Sequence, residues 1–155
     1  SETSDEAEDE NDVLLRWDDS LTTNNPLIDS QHKMLINKIN ELYRASKHGK
    51  GETVIKELIS FLANYAKEHF NYEEGYFKDH NYPQADQHCA IHKGFIESVQ
   101  KMQQRLEDEG VTTKLVMDIA NFGSKWLYAH IKKIDHDYCN FIESGKCGID
   151  LTKAG

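Results

Sequence analysis

Residues 66 to 92 read AKEHFNYEEGYFKDHNYPQADQHCAIH, and this stretch decides how the chain can fold. It carries two pairs of side chains that can bind metals, His69 with Glu73 and His88 with His92, separated by an Asn-Tyr-Pro break. Residues four apart lie on the same face of an α-helix. Two helices joined by a turn at the break would aim both pairs at one point. The stretch therefore predicts a metal site inside a helical bundle.

Apolar residues recur at steps of three and four along four segments of the chain, which is the period of an amphipathic helix. The predicted helices run from about Leu27 to Lys47, Glu52 to Asp79, Gln84 to Asp108 and Lys114 to Glu143. Short connections rich in Gly, Asn or Pro separate them, and no alternating strand pattern competes. We predict an all-α fold, an antiparallel up-down-up-down four-helix bundle within residues 13–145.

The two ends of the chain differ from the bundle. Residues 1–12 contain seven acidic and no basic residues, which account for most of the net charge of −9. Such a composition predicts a disordered acidic leader, which could also be a linker from a longer protein. The segment around Trp17 is expected to be a non-helical N-terminal arm packed on the bundle, and residues 146–155 a short C-terminal tail.

Composition restricts the class of partner. The net charge of −9 argues against nucleic acid or an anionic membrane as a binding surface, and no apolar run approaches the roughly 20 residues of a membrane span. The three cysteines, Cys89, Cys139 and Cys147, are odd in number and lack a Cys-x-x-Cys spacing. We expect reduced cysteines in a cytoplasmic protein, which is a monomer because the outer faces show no interface stripe.

Imidazoles occupy inward-facing positions on all four predicted helices. These histidines are His32, His69, His88, His92 and His130. One histidine on an apolar face is usually a hydrogen-bonded core residue, but five buried rings without partners would cost about 1–3 kcal/mol each. Glu73 and Asp135 lie on the same inner faces, where an ionised carboxylate needs a cation. Seven ligands exceed one tetrahedral zinc site, so we predict two metal ions that share the carboxylates.

Asp135 follows His130 by five residues, which on a straight α-helix places the two side chains about 140° apart. Both can reach one site only if they flank it or if a π-bulge realigns them, and we predict such a distortion near residues 132–135. The alternative is that Asp135 faces solvent and that Asp137 or no residue takes its place.

The remaining candidates are expected to be structural. His48, His80 and His136 match no inward position and are predicted to lie on the surface. Cys89 is one residue from His88 and should point away from the site. Tyr138 lies about one turn after Asp135 and is expected to contribute a structural hydroxyl.

Five segments of the chain form a set of motifs, which are WDDSL from Trp17, IDSQHKML from Ile28, HFNYEE from His69, YPQADQHCAIH from Tyr82 and WLYAHIKKIDHDY from Trp126. Together they closely resemble the hemerythrin family in its bacterial form. The resemblance extends from about Trp17 to Phe141, and seven ligand positions match in order and local spacing.

The resemblance implies a non-haem site of two iron ions that binds O2 reversibly. It also implies that the protein is not an enzyme. By this likeness one iron is held by His88, His92 and His130, the other by His32 and His69, and Glu73, Asp135 and an oxo or hydroxo group bridge them. The second iron keeps an open position for O2. The apolar positions that line the family's O2 pocket correspond to Leu35, Phe70, Trp126, Leu127 and Ile131.

Three functions are compatible with this site. The first is storage, carriage or delivery of O2. The second is an O2-sensing or redox-sensing input domain of a signalling protein such as a chemoreceptor, which would act on a signalling partner domain. The third is a di-iron peroxidase, oxidase or nitric oxide-handling enzyme. Di-iron oxygenases and ferritin-like proteins use Glu-x-x-His pairs and more carboxylates. None of the eight histidines here has Glu three residues before it, so the ligand set argues against strong oxidation chemistry.

Overall fold

The computed structural model describes residues 12–145; the predicted acidic leader, apart from Asp12, and the predicted tail 146–155 lie outside this range. The helices are α1 (Pro26–Lys47), α2 (Glu52–Asp79), α3 (Ala85–Glu109), α4 (Thr113–Ala129) and α5 (His136–Ser144), with a π-helical segment (His130–Asp135) that joins α4 to α5. The helix α1 packs on α2, α2 on α3 and α3 on α4, and α4 packs back on α1. The described residues contain no strand, and the predicted all-α bundle is confirmed.

Local signals in the sequence place the helix ends. The Asn25 side chain accepts hydrogen bonds from the first backbone N–H groups of α1, where Pro26 needs no such bond. Thr112 caps α4 in the same way. Between α2 and α3, Asn81 adopts a left-handed conformation with φ of 51°, which Asn tolerates better than most residues. This turn reverses the chain and brings the ligand pair of α3 opposite that of α2.

The fourth predicted helix is continuous but not regular. A π-helical turn from His130 to Asp135 interrupts it, so the predicted distortion is confirmed and begins two residues earlier than expected. A π-turn accommodates one extra residue in the helix. Beyond this turn the chain continues as α5, with Tyr138 and Cys139 buried.

The bundle interior is layered along its length. The distal apolar layer, far from the predicted ligands, comprises Leu42, Ala45, Ile55, Leu58, Ile59, Leu106, Leu115, Val116, Ile119 and Ala120. The middle apolar layer comprises Leu21, Leu35, Ile36, Ile39, Ala66, Phe70, Leu127 and Ile131. The end apolar layer comprises Ile28, Phe77, Tyr82, Ile134, Tyr138 and Cys139. The predicted ligands lie between the middle and end layers.

The N-terminal arm lies along α1, as predicted from Trp17. The Asn40 side chain accepts hydrogen bonds from the backbone N–H groups of Leu14 and Leu15, at 2.9 and 3.0 Å, and donates to the Leu15 carbonyl at 2.8 Å. Trp17 packs against the middle apolar layer. The arm contains a short 3-10 turn at Asp19–Leu21, so it is not entirely non-helical. Within residues 12–145, no helix combines the length and apolar character needed to cross a membrane.

Candidate metal centre

The seven side chains singled out from the sequence come together in the bundle interior. Their exposed fractions are 0% for His32, Glu73, His88 and Asp135, 1% for His92, 2% for His69 and 3% for His130. They form two overlapping clusters, in each of which one ligand atom per residue lies within 4.8 Å of the others. The three-imidazole cluster contains His88, His92 and His130, the two-imidazole cluster contains His32 and His69, and both contain Glu73 and Asp135.

In the three-imidazole cluster the rings meet through their Nε2 atoms. His130 Nε2 lies 3.1 Å from Nε2 of both His88 and His92. Asp135 Oδ1 is 3.1 Å from His88 Nε2 and 3.2 Å from His130 Nε2. Three nitrogens and a carboxylate oxygen therefore face a common point.

Each carboxylate also reaches the two-imidazole cluster. Asp135 Oδ2 lies 2.9 Å from His32 Nε2, on the other side from its contacts with the three-imidazole cluster. Glu73 Oε1 lies 3.0 Å from His69 Nε2 and 3.5 Å from His92 Nε2. Glu73 and Asp135 thus stand between the clusters, as carboxylates that bridge two cations would.

The π-turn carries Asp135 inward, whereas Asp137 is held elsewhere. Tyr82 donates its hydroxyl to Asp137 Oδ2 at 2.6 Å, and Gln84 Nε2 donates to the same oxygen at 3.0 Å. Asp137 therefore joins the turn before α3 to α5. The alternative in which Asp137 replaces Asp135 at the site is wrong for this fold.

The outer hydrogen bonds show that the donor set suits a cation. His92 donates Nδ1–H to Glu74 Oε2 at 2.9 Å, and His69 donates Nδ1–H to Gln31 Oε1 at 2.7 Å. Each of these neutral rings therefore directs an Nε2 lone pair inward, towards carboxylate oxygens that are also acceptors. Acceptors that face one another repel unless a proton or cation lies between them. Imidazole and carboxylate ligands suit iron, zinc and manganese.

Burial favours the neutral form of three of these histidines, His69, His92 and His130. Removal from water lowers the pKa of His69 and of His130 to about 4, against a usual value of 6.5. Burial, and next the nearby His130, lowers the pKa of His92 well below its usual value. Neutral imidazole is the form that coordinates metals, so the rings are ready to bind at neutral pH.

The two carboxylates shift in opposite directions. Burial, and next the Asp135 carboxylate, raises the pKa of Glu73 well above its usual value. Burial alone would also raise the pKa of Asp135, but contacts with His130, His32 and His88 outweigh it and hold that pKa well below the usual range. Without a cation, the Glu73 carboxyl therefore holds a proton more strongly than usual, and a metal ion would compete with that proton.

Apolar side chains surround the clusters on the side of the middle layer. The Phe70 ring stacks on His92 with centroids 3.8 Å apart, and Trp126 stacks on His130 at 4.3 Å. From these rings an apolar cavity of about 60 Å³ extends towards the distal layer. Of the five predicted pocket residues, Leu35, Phe70, Trp126 and Leu127 line this cavity. Ile131 is fully buried in the middle layer but does not line it.

The other candidates have ordinary structural surroundings, with one exception. His48 and His80 are exposed, as predicted. His136 is half-buried at the surface, where its Nε2 donates to the Thr22 carbonyl at 2.9 Å, and it belongs to neither cluster. Tyr138 is 1% exposed, and burial raises the pKa of its hydroxyl. No hydrogen-bond partner for that hydroxyl occurs within residues 12–145.

Sequence reasoning missed the outer partners Gln31 and Glu74. Each directly precedes or follows a candidate ligand in the chain, Gln31 before His32 and Glu74 after Glu73. Each nevertheless bonds to a ligand on another helix. The available signal was the need of a buried metal-binding imidazole for an acceptor at its second nitrogen, but spacing does not show which polar neighbour supplies it.

Comparison with known proteins gives the same family throughout. A family model described as the hemerythrin HHE cation binding domain matches residues 23–142. A bacteriohemerythrin of Pseudomonas aeruginosa is 34% identical over 131 residues, 83% of this chain and 81% of that protein. A bacteriohemerythrin of Stenotrophomonas maltophilia is 28% identical, over 85% of this chain and 84% of that protein. A myohemerythrin of Theromyzon tessulatum is 24% identical, over 79% and 89% respectively. This chain belongs to the hemerythrin family.

Proposed function

We propose that the protein binds O2 reversibly at two iron ions, as a store or carrier of O2. His88, His92 and His130 would hold one ion, and His32 and His69 the other, with Glu73 and Asp135 as bridges. The observation that carries this proposal is the pair of clusters that share both buried carboxylates. Two ferrous ions would supply the electrons that O2 takes up on binding and gives back on release.

The two clusters offer different numbers of ligands. One has three imidazoles and the other has two, while both share the same two carboxylates. An ion in the two-imidazole cluster would have one protein ligand fewer, and an open position is what a metal needs to accept a small molecule. We therefore assign O2 to the ion held by His32 and His69.

The apolar surroundings would protect the bound O2. Leu35, Phe70 and Leu127 are 4%, 4% and 5% exposed, and the cavity beside them is lined by apolar side chains. A dry pocket excludes the water and protons that would otherwise promote release of reduced oxygen and leave the irons oxidised. It also provides space for a small apolar gas. Both properties favour reversible binding over oxidation chemistry.

The decisive experiment is metal analysis combined with visible spectroscopy. We expect about two irons per chain, and a charge-transfer band that appears when O2 is added to the reduced protein and disappears when O2 is removed. A variant with the exposed His48 replaced by Ala should behave identically, which controls for metal held by surface imidazoles. A folded protein that takes up zinc or manganese but not iron would overturn the proposal. Irons oxidised irreversibly by O2, or turned over by peroxide or nitric oxide, would indicate an enzyme.

A contact of the N-terminal arm favours sensing as a second candidate function. His136 directly follows Asp135 and donates to the carbonyl of Thr22 in the arm, at 2.9 Å. A shift of Asp135 on ligand binding would therefore move the arm, which could pass the change to a signalling partner domain. Hydrogen exchange of residues 12–25 tests this idea. Sensing requires that protection from exchange differ between the reduced and O2-bound states. Equal protection in both states would rule out this route of sensing and favour the O2 store or carrier.

A further inference from the structure

The two clusters differ in how their imidazoles are held from outside. In the three-imidazole cluster His92 donates Nδ1–H to a carboxylate, Glu74 Oε2, at 2.9 Å. In the two-imidazole cluster His69 donates Nδ1–H to a neutral amide, Gln31 Oε1, at 2.7 Å. Among the described residues, Nδ1 of His32, His88 and His130 has no hydrogen-bond partner. Each cluster thus has one ring oriented by an outer side chain, and only one of these side chains carries charge.

Glu74 is held firmly against His92. Its side chain is 31% exposed, so its charge is partly removed from solvent. Burial, and next the nearby Glu74 carboxylate, raises the pKa of the Cys89 thiol. On its other side the His92 ring stacks on Phe70, with an interplanar angle of 8°. The stacking with Phe70 fixes the plane of the His92 ring, and the hydrogen bond to Glu74 fixes which edge of the ring faces the cluster.

We propose that Glu74 is a positioning residue that makes the three-imidazole cluster the better stabiliser of a ferric ion. This inference rests on the proposed function, because it takes iron as the metal. A carboxylate that accepts Nδ1–H draws the proton towards itself and makes Nε2 of the same ring more basic. A more basic nitrogen stabilises the higher charge on the metal. A neutral amide, as at Gln31, has a weaker effect, so the two ions would differ in potential.

Four variants separate charge from orientation. Glu74→Gln keeps an acceptor oxygen in place and removes the charge, whereas Glu74→Ala removes both. Gln31→Glu adds a charge to the other cluster, and the double variant E74Q/Q31E exchanges the two partners with no change in net charge. Glu57→Gln is the matched control, since it removes the same charge from an exposed position of the same helix.

Three measurements apply to this set. Nitrogen NMR of the metal-free protein reports which nitrogen of His92 carries the proton. Competition titration gives the affinity for Co²⁺. Redox titration of the iron-loaded protein, followed by electron paramagnetic resonance, gives the midpoint potentials of the two one-electron steps. The first two measurements need neither iron nor O2.

We expect Glu74→Ala to lose the Nδ1–H form of His92 and about 10–100-fold in Co²⁺ affinity. Glu74→Gln should keep the Nδ1–H form but weaken the preference for ferric over ferrous ion about tenfold, which raises one midpoint potential by about 59 mV for a one-electron step. Gln31→Glu should lower the other potential. The double variant should bind metal normally and reverse the difference between the two ions.

Each failure identifies its cause. If Glu74→Gln has the same potentials as Glu57→Gln while the wild-type protein binds O2 reversibly, the inference about Glu74 is overturned and the proposed function stands. If O2 binding is irreversible but the potentials shift as expected, the proposed function fails and the role of Glu74 stands. If the protein does not retain iron, the Co²⁺ affinity alone tests the role of Glu74. An affinity of Glu74→Ala equal to that of the wild type would overturn the inference.

Discussion

The ligand layer, formed by the seven candidate ligands, and the distal apolar layer occupy the same four-helix interior but are stabilised in opposite ways. His32 and Glu73 are as fully buried as Leu42 and Val116, at 0% exposure. Burial of a large apolar side chain contributes about 1.5–3 kcal/mol to folding. Burial of imidazoles and carboxylates costs free energy unless each finds a partner. The comparison teaches that the apolar layers hold the bundle together, whereas the ligand layer depends on them and needs a proton or a cation between its facing acceptors.

The largest effect is expected from removal of a shared carboxylate. Glu73→Ala should abolish loading of the metal pair and reversible O2 binding, because Glu73 belongs to both clusters. The metal-free variant should fold at least as stably as the metal-free wild type, since a buried carboxyl group is lost. Metal content, O2 titration and chemical denaturation measure these outcomes. Glu68→Ala, at an exposed position of the same helix, is the control.

Retention of two irons and reversible O2 binding by Glu73→Ala would refute the bridging role of this residue. Unfolding of the metal-free variant would instead show that Glu73 supports the fold, contrary to the contrast between the layers.

Acid should selectively weaken the ligand layer of the metal-free protein. The pKa values of His69 and His130 fall to about 4 in the folded state, against 6.5 when exposed. Between these pH values the two histidines are protonated in the unfolded chain but not in the folded chain. The free energy of unfolding is therefore highest above pH 6.5 and decreases as the pH falls towards 4. One pKa unit corresponds to about 1.4 kcal/mol, so each histidine should cost on the order of 3 kcal/mol. Urea denaturation over this pH range measures the loss.

The control for acid sensitivity is His48→Ala, which removes an exposed imidazole and should leave the slope with pH unchanged. A free energy of unfolding that does not vary between pH 6.5 and 4.5 would show that the buried histidines titrate normally.

Shortening a side chain in the distal apolar layer should lower the free energy of unfolding and leave the metal site unaffected. This is the opposite of the result expected for Glu73→Ala. Leu42 is fully buried, and Leu42→Ala should cost about 2–5 kcal/mol through lost burial and a cavity. The metal content of the folded variant should remain that of the wild type, because His32 lies almost three turns away along α1. Met34→Ala, at an exposed position of α1, should change stability by less than about 0.5 kcal/mol. Loss of metal from folded Leu42→Ala would mean that the layers are not independent.

The smallest effect is expected from shortening the π-turn. Deletion of the exposed Lys133 would bring His130 and Asp135 to a spacing of four, the spacing at which His69 and Glu73 already share a face. A regular α-helix would then present both ligands, so metal content and stability should change little. Insertion of one Ala between Tyr72 and Glu73 is the counterpart, and it should abolish metal binding if α2 stays regular. Loss of metal on deletion of Lys133 would show that the π-turn itself is required.

Much of this molecule could be predicted because helical periodicity is local. Ile28, Leu35 and Leu42 repeat at steps set by 3.6 residues per turn, so their common face follows without knowledge of neighbouring helices. The distortion before Asp135 was predictable for the same reason, since a spacing of five does not fit a regular helix. The burial of Phe77 in the end layer was not predicted, because it lies beside the stripe and its environment depends on α5.

The sequence by itself determined the helices, their approximate ends and the inward direction of the histidines, because these depend on residues close in the chain. Helical periodicity left open which ligands group together; the family resemblance implied a grouping, and the two clusters of the tertiary structure agree with it. Only the tertiary structure decided that Asp137 bonds to Tyr82 and Gln84 rather than to a metal. It also decided that His92 meets the carboxylate of Glu74 and His69 the amide of Gln31. These contacts join residues on different helices, so they depend on how the helices rotate and pack against one another.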